Sequence, residues 1–536
     1  MSGLLKKIKF NHIFWVFFYF FLFSLLLRGS FNYLDPDFGW HLQVGREIAQ
    51  THLVPSLNHY NYTFTGSWVD HEWLSNLLTY FIYSHWGYSA VVGAFAWLII
   101  LVLILLNVWT RRILPSVSLF TIAFFQTIGV IAAAPHFGVR MQESGLLFLL
   151  LLLLILSRYT KRKNWRVLLW LPPLFYLWAC LHASFLIGFF LLGAYLAVKI
   201  GEKIIARYRL VPRIDIDFSS LLNSREILVF AGAAFLSLAA TLFTPYKLGL
   251  YSFLAGYKNS FYQAHIQEWL SQFSFPFLYW QLIYLAFLVF ALIFYIYYSR
   301  PSRQKLFQVN LWTLFLVVLF TVLSFKSRRH FPLMFVATFP FLIEIFSGIF
   351  PASLRKKDRR LNRWLKFYLL ICLALVTVSQ LIQIRFIADP FKSFCVNYPC
   401  GAVKFLKDHP AYDSLNLFND YGWGGYLIWN LPARQLFIDG RLPQVAFASH
   451  TFLEEYLDFF KKNGDVGGKL QQYQIRLVLI PAQDKDLKAK KWEKIVFGIK
   501  NKDLVAHNYL RDYLRASQDW QPIYNDATAV IYLKKN

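Results

Sequence analysis

Long apolar runs alternate with short polar or basic segments through roughly the first 386 residues of the chain. Runs of this length predict membrane-spanning helices, because about 20 apolar residues cross the hydrocarbon core of a bilayer. We predict eleven spans, at 12–29, 88–109, 116–134, 144–157, 167–181, 183–200, 226–244, 279–298, 308–325, 331–350 and 365–386. The predicted fold class is an α-helical polytopic membrane protein.

The pattern changes near residue 388, where apolar runs shorten to strand length and charges return. The stretches "LNLFND", "QLFID" and "IRLVLIP" predict buried strands, and "QPIYN" and "ATAVIYL" predict a hairpin that turns through Asp526. The stretches "GAVKFLKDH", "TFLEEYLDFFKK" and "DLVAHNYLRDYLRAS" have the apolar spacing of amphipathic helices. We therefore predict a membrane domain over 1–387 and a C-terminal α/β domain over 388–536.

The first loop after a span, at 30–87, is too long to be a simple turn. Its segment "HEWLSNLLTYFIYSHW" has helical apolar spacing, and its Trp and Tyr content favours a helix lying in the membrane interface. A crossing at this point would move Arg111 and Arg112 to the other side of the membrane and invert every later loop.

The net charge of +26 does not indicate a nucleic-acid partner, because the basic residues follow the topology. They concentrate in alternate loops such as "KKIK", "RYTKRKNWR", "RPSRQK" and "LRKKDRRLNRWLK", as the positive-inside rule predicts for cytoplasmic loops. We therefore expect a multi-pass protein of the cell membrane, with a cytoplasmic N-terminus and an extracytoplasmic C-terminal domain. Whether Cys395 and Cys400 form a disulfide stays open at this point.

Acidic and histidine side chains cluster in this first outer loop. Asp35, Asp37 and His41 follow the first span, and "WVDHEW" adds His71 and Glu72. Ionisable groups beside lipid indicate a functional site, although a solvated loop with helix caps would place the same residues there.

Cationic side chains appear in outer turns, against the positive-inside trend. Arg140 lies in "HFGVRMQES", and Arg328, Arg329 and His330 lie in "SFKSRRHFP". Snorkelling to lipid headgroups would explain one such residue, whereas several together favour a phosphate site. Together with the outer carboxylates they suggest transfer of a sugar from a lipid phosphate, with a carboxylate as base and cations on the departing phosphate.

The order of these features resembles the GT-C superfamily of polytopic glycosyltransferases, which use polyprenyl-linked sugars and carry their active site in the first outer loop. The stretch "LDPDFGWHLQVGREIAQTHLVPSLNHYNYTFTGSWVDHEWLSNLL" looks like that loop, and closest to it is a group of poorly characterised bacterial members. The tail stretch "FNDYGWGGYLIWNLPARQLFIDGR" resembles the Trp-Trp-Asp-Tyr-Gly region of oligosaccharyltransferase catalytic subunits. Asp420, Tyr421 and Gly422 match that region, but Phe418 and Asn419 replace its two tryptophans.

The resemblance implies a role for each matching position. Asp37 or Asp35 would be the catalytic base, and Glu72 resembles the second acid of protein-mannosyl and lipid-A aminoarabinose type transferases. The implied donor-phosphate contacts are Arg328, Arg329, His330 and Arg140; the implied donor or acceptor contacts are His41, His71, His182, Asp420 and Tyr421. No cofactor is certain, but Asp35, Asp37, Glu143 and Glu268 are the candidate ligands for Mg²⁺ or Mn²⁺.

We therefore predict a membrane glycosyltransferase that moves a sugar from a polyprenyl phosphate or diphosphate to an unknown protein, lipid or glycan acceptor on the outer face. One alternative is an oligosaccharide transferase or ligase that uses a larger lipid-linked donor. Another is a non-catalytic membrane protein that binds or transports glycolipid. Transport is disfavoured because the acids lie mainly in outer loops and the chain shows no repeated halves.

Overall fold

The computed structural model describes residues 10–29, 31–115, 117–208, 220–256, 261–298, 310–349, 361–387, 389–447, 450–462 and 464–535. The predicted basic segments at 6–9 and 300–305, and most of that at 354–366, lie outside these residues. By their contacts the residues form two compact units. The helical unit comprises Met1–Tyr33, Val92–Lys247 and Gln267–Phe386, and the mixed unit comprises Leu34–Val91, Leu248–Ile266 and Ile387–Asn536.

The helices are named in chain order. In the first half of the chain they are α1 Phe10–Arg28, α2 Phe38–Thr51, α3 Trp73–Ile113, α4 Leu119–Ala133, α5 Glu143–Arg162, α6 Leu171–Leu181, α7 Phe185–Tyr208, α8 Ser224–Thr241, α9 Leu248–Ala255 and α10 Tyr262–His265. In the second half they are α11 Tyr279–Tyr298, α12 Leu311–Lys326, α13 Phe331–Ile349, α14 Leu361–Ile382, α15 Pro390–Ser393, α16 Cys400–Asp408, α17 Gly424–Asn430, α18 Phe452–Asp458, α19 Val466–Gln472, α20 Lys491–Phe497 and α21 Tyr509–Ala516.

Apolar helices account for every predicted span. Seven of the described helical stretches are long and apolar enough to cross a membrane: Trp73–Ile113, Leu119–His136, Glu143–Arg162, Phe185–Tyr208, Ser224–Thr241, Tyr279–Tyr298 and Arg328–Ile349. Shorter apolar helices at His12–Arg28, Trp165–Leu181, Leu311–Lys326 and Phe367–Ile382 match the remaining predicted spans. The predicted polytopic helical fold class is confirmed, and the protein is a multi-pass membrane protein.

Helix α3 is two helical segments joined at a kink. Gly87 has φ 76° inside it, a left-handed backbone that glycine adopts without steric cost. The segment before the kink contains "WLSNLLTYFIYSHW", so its predicted helix is confirmed. The kink separates this segment from the more apolar one that follows, as expected if only the second segment crosses the membrane.

A four-stranded sheet forms the core of the mixed unit, with strand order β1-β4-β8-β7. The strands are β1 Asn416–Asn419, β2 Ala446–Phe447, β3 His450–Thr451, β4 Ile475–Pro481, β5 Lys485–Asp486, β6 Val505–Ala506, β7 Trp520–Asn525 and β8 Ala529–Lys534. Strand β1 runs parallel to β4, whereas β4, β8 and β7 are antiparallel neighbours. The predicted hairpin through Asp526 is present, and the Asp526 carboxylate accepts hydrogen bonds from the amides of Thr528 and Ala529.

Three tail elements differ from their prediction. The stretch "QLFID" forms only isolated bridges through Leu436, although Leu436, Phe437 and Ile438 are fully buried as a strand core would be. Helix α18 ends at Asp458, earlier than its pattern suggested. Helix α21 begins only at Tyr509, because Val505 and Ala506 pair with β5 instead. For "QLFID" and α21, pairing with other parts of the tail and the first loop replaces the local pattern.

The mixed unit contains the predicted outer loop as well as the tail. Residues 34–91 and 248–266 group with 387–536 by contacts, and Cys395 and Cys400 form a disulfide within this unit. The predicted division into 1–387 and 388–536 concerns position relative to the membrane and stays a prediction. The acidic residues of the first outer loop are therefore surrounded by residues of that loop and of the tail.

Candidate active site

Asp35 and Asp37 lie in the turn that opens helix α2. The Asp37 amide donates a hydrogen bond of 3.0 Å to Oδ1 of Asp35, and the Phe38 amide donates to the Asp35 carbonyl oxygen. Asp35 is buried, whereas Asp37 is only partly buried. The carboxylate of Asp35 thus holds the turn, as aspartate commonly does two residues before the amide it accepts.

Two glycines of the tail lie directly against Asp37. A Cβ atom at Gly440 would lie 2.0 Å from Oδ1 of Asp37, and one at Gly425 would lie 2.3 Å from the carbonyl oxygen of Pro36. On the facing helix, a Cβ at Gly39 would lie 2.1 Å from the carbonyl oxygen of Gly425. Any larger residue at these positions would force atoms apart, so the glycines set the position of Asp37.

A chain of buried polar side chains follows on the inner face of α2. His41 Nδ1 lies 2.6 Å from Oδ1 of Asn76, and Nδ2 of Asn76 donates to Asp70 at 2.8 Å. Since the Asn76 oxygen can only accept, the proton of neutral His41 is on Nδ1 and the lone pair is on Nε2. The amide of Glu72 donates to the other oxygen of Asp70. The network fixes the tautomer and the orientation of His41.

Burial shifts the pKa values of His41 and Asp70, the two titratable groups of this network, in opposite directions. It lowers the pKa of His41 to about 3 and raises the pKa of Asp70 to about 6. Hydrogen bonds from Asn76 oppose both shifts without cancelling them. His41 is therefore neutral at physiological pH, since burial disfavours the charged form of an imidazole.

Glu72 is flanked by the two predicted histidines. One of its oxygens lies 3.9 Å from His41 Nδ1 and the other lies 3.6 Å from His71 Nε2. Glu72 is buried, and the ring of His71 lies against Phe253 of α9. The structure thus brings His41, His71 and Glu72 together, and their role in a site stays a prediction.

A buried ion pair, which we did not predict from the sequence, contacts the same loop. Arg441 and Asp439 form a two-point ion pair at 2.7 and 2.9 Å, with side chains at most 1% exposed. The Arg441 guanidinium lies between the rings of Tyr60 and Trp68, 4.4 and 4.7 Å from their centroids. The same group donates to Asn58 and Asn61. The sequence signal was a charged pair around a glycine, "DGR", directly after a buried apolar run.

The Asp-Tyr-Gly stretch caps a short helical turn after β1. Oδ1 of Asp420 accepts a hydrogen bond from the Gly422 amide at 2.9 Å, and the Tyr421 amide donates to the hydroxyl of Tyr456. Asp420 and Tyr421 are both partly exposed, so their side chains remain accessible to a ligand. Asn419, one of the residues in place of tryptophan, is fully buried and its Oδ1 accepts from the Phe437 amide.

The helical unit contains a second cluster, built from Arg140, Glu268 and Arg329. Glu268 pairs with Arg140 at 2.7 Å and with Arg329 at 3.3 Å, and the Arg329 guanidinium lies over the ring of Trp269. Burial acts to raise the pKa of Glu268, but the two arginines outweigh it and lower the pKa to about 2. Among the described residues one carboxylate pairs with these two guanidinium groups, which leaves the three side chains with net positive charge.

The other predicted phosphate and ligand contacts have structural partners. Arg328 is buried, and its guanidinium donates to the carbonyl oxygens of Ser271 and Ser274. The ring of His330 lies edge-on to Trp269. His182 Nδ1 accepts from the Ser184 amide at the turn before α7. Arg140 and Arg329 are thus the predicted cations whose charged groups form one cluster.

The four predicted metal ligands lie in different surroundings. Within the residues that the structure describes, no group of three or more His, Cys, Asp and Glu side chains is arranged to hold a metal ion. Oδ1 of Asp35 accepts from a turn amide, and Glu268 is paired with two arginines. Glu143 is buried at the start of α5. Divalent-metal dependence stays a prediction.

The backbone of the chain matches that of solved membrane transferases. It is similar to the apo oligosaccharyltransferase of Archaeoglobus fulgidus, with a TM-score of 0.51 over 100% of this chain and 75% of that one, at 10% identity. This is the oligosaccharyltransferase fold. The enzyme AglB of the same organism, in complex with an inhibitory peptide and a dolichol-phosphate, gives 0.53 over 99% and 75% at 10% identity. The same oligosaccharyltransferase tethered to an acceptor peptide gives 0.51 over 99% and 74%, also at 10% identity.

The likeness is one of fold and does not extend to sequence. No protein-family model matches the chain, and no curated protein matches it. At 10% identity the structural likeness establishes the architecture of this chain. The predicted resemblance to oligosaccharyltransferase catalytic subunits, which are GT-C-type glycosyltransferases, is confirmed at that level.

Proposed function

We propose that the protein is a membrane glycosyltransferase that moves a sugar from a polyprenyl phosphate or diphosphate to an acceptor on the outer face of the membrane. The acceptor nucleophile forms a bond to the anomeric carbon of the sugar, and the bond between that carbon and the phosphate oxygen breaks. The acceptor proton passes to a carboxylate, and the polyprenyl phosphate or diphosphate leaves with the bonding electrons. This chemistry needs a positioned carboxylate base and a cationic site for phosphate.

The position of Asp37 is the observation that supports this proposal. It is a partly exposed carboxylate just after the first apolar helix, in a chain with the fold of an oligosaccharyltransferase. Gly440 and Gly425 lie against it, and the Asp35 turn bond fixes its backbone. A carboxylate held in this way can accept a proton at a defined point. Glu72 and neutral His41 supply hydrogen-bonding groups in the same unit.

The decisive experiment compares Asp37→Asn with its neighbour Asp35→Asn. Asparagine at position 35 keeps the oxygen that accepts the turn hydrogen bond, so the fold and most of the activity should survive. Asparagine at position 37 keeps the shape but removes the base, so transfer should fall by at least about two orders of magnitude. Mass spectrometry of co-purified lipids would measure the ratio of glycolipid to sugar-free carrier. Full activity of the Asp37 variant at normal protein level would overturn the base assignment.

The donor phosphate is assigned to the cluster of Arg140 and Arg329. Two guanidinium groups share one carboxylate there, so positive charge remains for an anion, and the planar fork of arginine matches phosphate oxygens. This part of the proposal concerns the helical unit and is tested by its own variants. Arg328 is instead assigned a structural role, because its guanidinium donates to backbone carbonyls.

An oligosaccharide transferase is the second candidate, favoured by the fold. The solved neighbours are oligosaccharyltransferases, and one of them is described with both a peptide and a dolichol-phosphate. A lipid-linked oligosaccharide and a protein acceptor are therefore candidate substrates of this chain. The mass of the glycolipid that co-purifies with Asp37→Asn distinguishes the two donors. Glycolipid that binds but is never converted to free carrier by the wild type would favour a non-catalytic binding protein.

Orientation and metal dependence belong to the same proposal. The distribution of basic loops supports a cytoplasmic N-terminus and an extracytoplasmic tail. Cysteine labelling from outside the cell, at a cysteine introduced at an exposed position away from the Cys395–Cys400 disulfide, such as Ile495, would test this. Chelation followed by addition of Mg²⁺ or Mn²⁺ would test metal dependence, and unchanged activity after chelation would contradict it.

A further inference from the structure

A cavity of about 560 Å³ lies within the helical unit, and none of its lining residues belongs to the sites assigned above. It is formed by the C-terminal ends of α3 and α5 and by the 3₁₀ helix Trp165–Trp170 that precedes α6. Five basic residues line it, namely Arg112, Arg158, Lys161, Arg162 and Arg166. Neither the glycosyl-transfer proposal nor the fold itself assigns this cavity a role.

Local backbone geometry gathers these charges at one place. Arg158, Lys161 and Arg162 lie three and four residues apart, which puts them on one face of α5. The helix ends because Lys163 adopts a left-handed backbone with φ 51°. Asn164 then caps the following 3₁₀ helix by accepting from the Arg166 amide, so the chain turns back. Arg166 is thereby returned to the cavity that the helix end has opened.

The charges of this cluster are not balanced by carboxylates. Within the part of the chain that the structure describes, no Asp or Glu oxygen pairs with any of the five basic side chains. All five of these basic residues are exposed. Cations at a helix C-terminus are stabilised by the helix dipole, but that effect requires no cavity. The cluster therefore suits an anionic ligand.

The deeper wall of the cavity is apolar. Leu151, Leu154 and Ile155 continue the same face of α5 for two turns from Arg158 into the apolar part of the helix. Trp109 and Trp170 flank this wall, and Trp170 is 69% exposed. Tryptophan at the boundary of an apolar segment is typical of the membrane interface. A ligand that fills the cavity would have a charged head and an apolar chain.

We infer that the cavity binds an anionic phospholipid of the bilayer, with the headgroup phosphate among the five basic residues and an acyl chain along Leu151, Leu154 and Ile155. Basic pockets between membrane helices bind anionic lipid headgroups in this manner. The positive-inside rule explains why basic residues are on this side, but it does not explain a basic cavity with an apolar wall. The site is distinct from the predicted donor-phosphate cluster of Arg140 and Arg329.

Reconstitution of the full chain in nanodiscs tests the inference. Phosphatidylglycerol and phosphatidylcholine with the same acyl chains would compete, and native mass spectrometry would count the lipids retained. We expect the wild type to retain phosphatidylglycerol preferentially. The double variant Arg158→Gln and Arg162→Gln should lose about thirtyfold in that preference, because each basic residue near an anionic headgroup contributes about fivefold.

Matched controls make the outcome specific. The double variant Arg207→Gln and Arg225→Gln removes two exposed arginines elsewhere in the helical unit and should keep the wild-type preference. Equal retention of the two lipids, or an equal loss in the control variant, would overturn the inference. Displacement of phosphatidylglycerol by millimolar inorganic phosphate alone, or by an isoprenyl phosphate at equal concentration, would overturn the phospholipid assignment.

Discussion

Gly440 lies so close to Asp37 that a methyl group added at position 440 would sit 2.0 Å from the carboxylate oxygen Oδ1. The two residues are about 400 positions apart, yet both belong to the mixed unit. The nearest atom is the end of a movable side chain, so the carboxylate would rotate away while the backbone could stay. The tail therefore determines where the candidate base of the first outer loop points.

The first prediction is that Gly440→Ala impairs transfer without unfolding the protein. A carboxylate displaced by about 1 Å loses about a hundredfold in rate when geometry is critical. Conversion of glycolipid to sugar-free carrier measures the effect, and a thermal melt in detergent checks the fold. Gly249→Ala is the control, since a methyl there meets no atom within 4 Å. If Gly440→Ala kept wild-type turnover, the assignment of Asp37 as the catalytic base would be wrong.

For Gly425 we predict a loss of stability when alanine replaces it. A methyl group at position 425 would meet the backbone carbonyl of Pro36 at 2.3 Å, and backbone cannot rotate aside. Helices α2 and α17 would have to separate, and overpacking of this kind costs about 1 to 3 kcal/mol. We expect Gly425→Ala to lower the melting temperature, measured by thermal unfolding, more than Gly440→Ala does. The reverse order of the two melting temperatures would contradict the close packing of these helices.

Sequence patterns reveal local burial, but they do not reveal close contacts between distant parts of the chain such as those of Gly440 and Gly425. The spans and the strands β1, β4, β7 and β8 were predictable because burial imposes runs and alternation that can be read locally. The role of Gly440 was not, since a close approach across hundreds of residues leaves no periodic signal. The histidine and acid residues of the first loop were found by their chemistry, whereas their hydrogen-bond order through Asn76 depended on the packing of α3 against α2.

A third prediction concerns the buried pair of Asp439 and Arg441. Both side chains are almost fully buried, so loss of one charge leaves the other without compensation. Breaking a buried pair in this way costs about 3 to 5 kcal/mol. We expect Asp439→Asn to destabilise the mixed unit strongly in denaturant unfolding. The exposed pair of Asp389 and Lys392 provides the control, and Asp389→Asn should change stability by less than about 1 kcal/mol.

The pH dependence of stability gives a fourth prediction. The folded pKa of His41 is lowered to about 3, so the unfolded chain binds a proton first and stability is lost as the pH falls from 6.5 towards 3. The folded pKa of Asp70 is raised to about 6, so the stability it contributes is fully present below pH 3.8 and is lost as the pH rises through 6. Between these values the two contributions oppose each other.

Single variants should reveal each contribution separately. The Asp70→Asn variant lacks the contribution of Asp70, so its free energy of unfolding relative to wild type should fall by about 1.4 kcal/mol for each pH unit between 6 and 3.8. With His41→Gln, stability relative to wild type should instead rise as the pH falls through the same interval. Denaturant unfolding at a series of pH values measures both slopes. Parallel pH profiles for wild type and both variants would contradict the buried network around Asn76.

The cluster of Arg140, Glu268 and Arg329 provides the last prediction. If its net positive charge binds the donor phosphate, replacing both arginines by glutamine should raise the KM for the lipid-linked donor by about tenfold or more, since a charge-assisted contact contributes about 1.5 to 3 kcal/mol. In the wild type the two arginines keep the pKa of Glu268 at about 2, so its carboxylate stays charged between pH 5 and 8 and should add no pH dependence to the wild-type KM. Lys326→Gln, an exposed cation at the end of α12, is the control. A double variant with a normal KM for the donor would place the phosphate elsewhere, and it would leave the test of Asp37 unaffected.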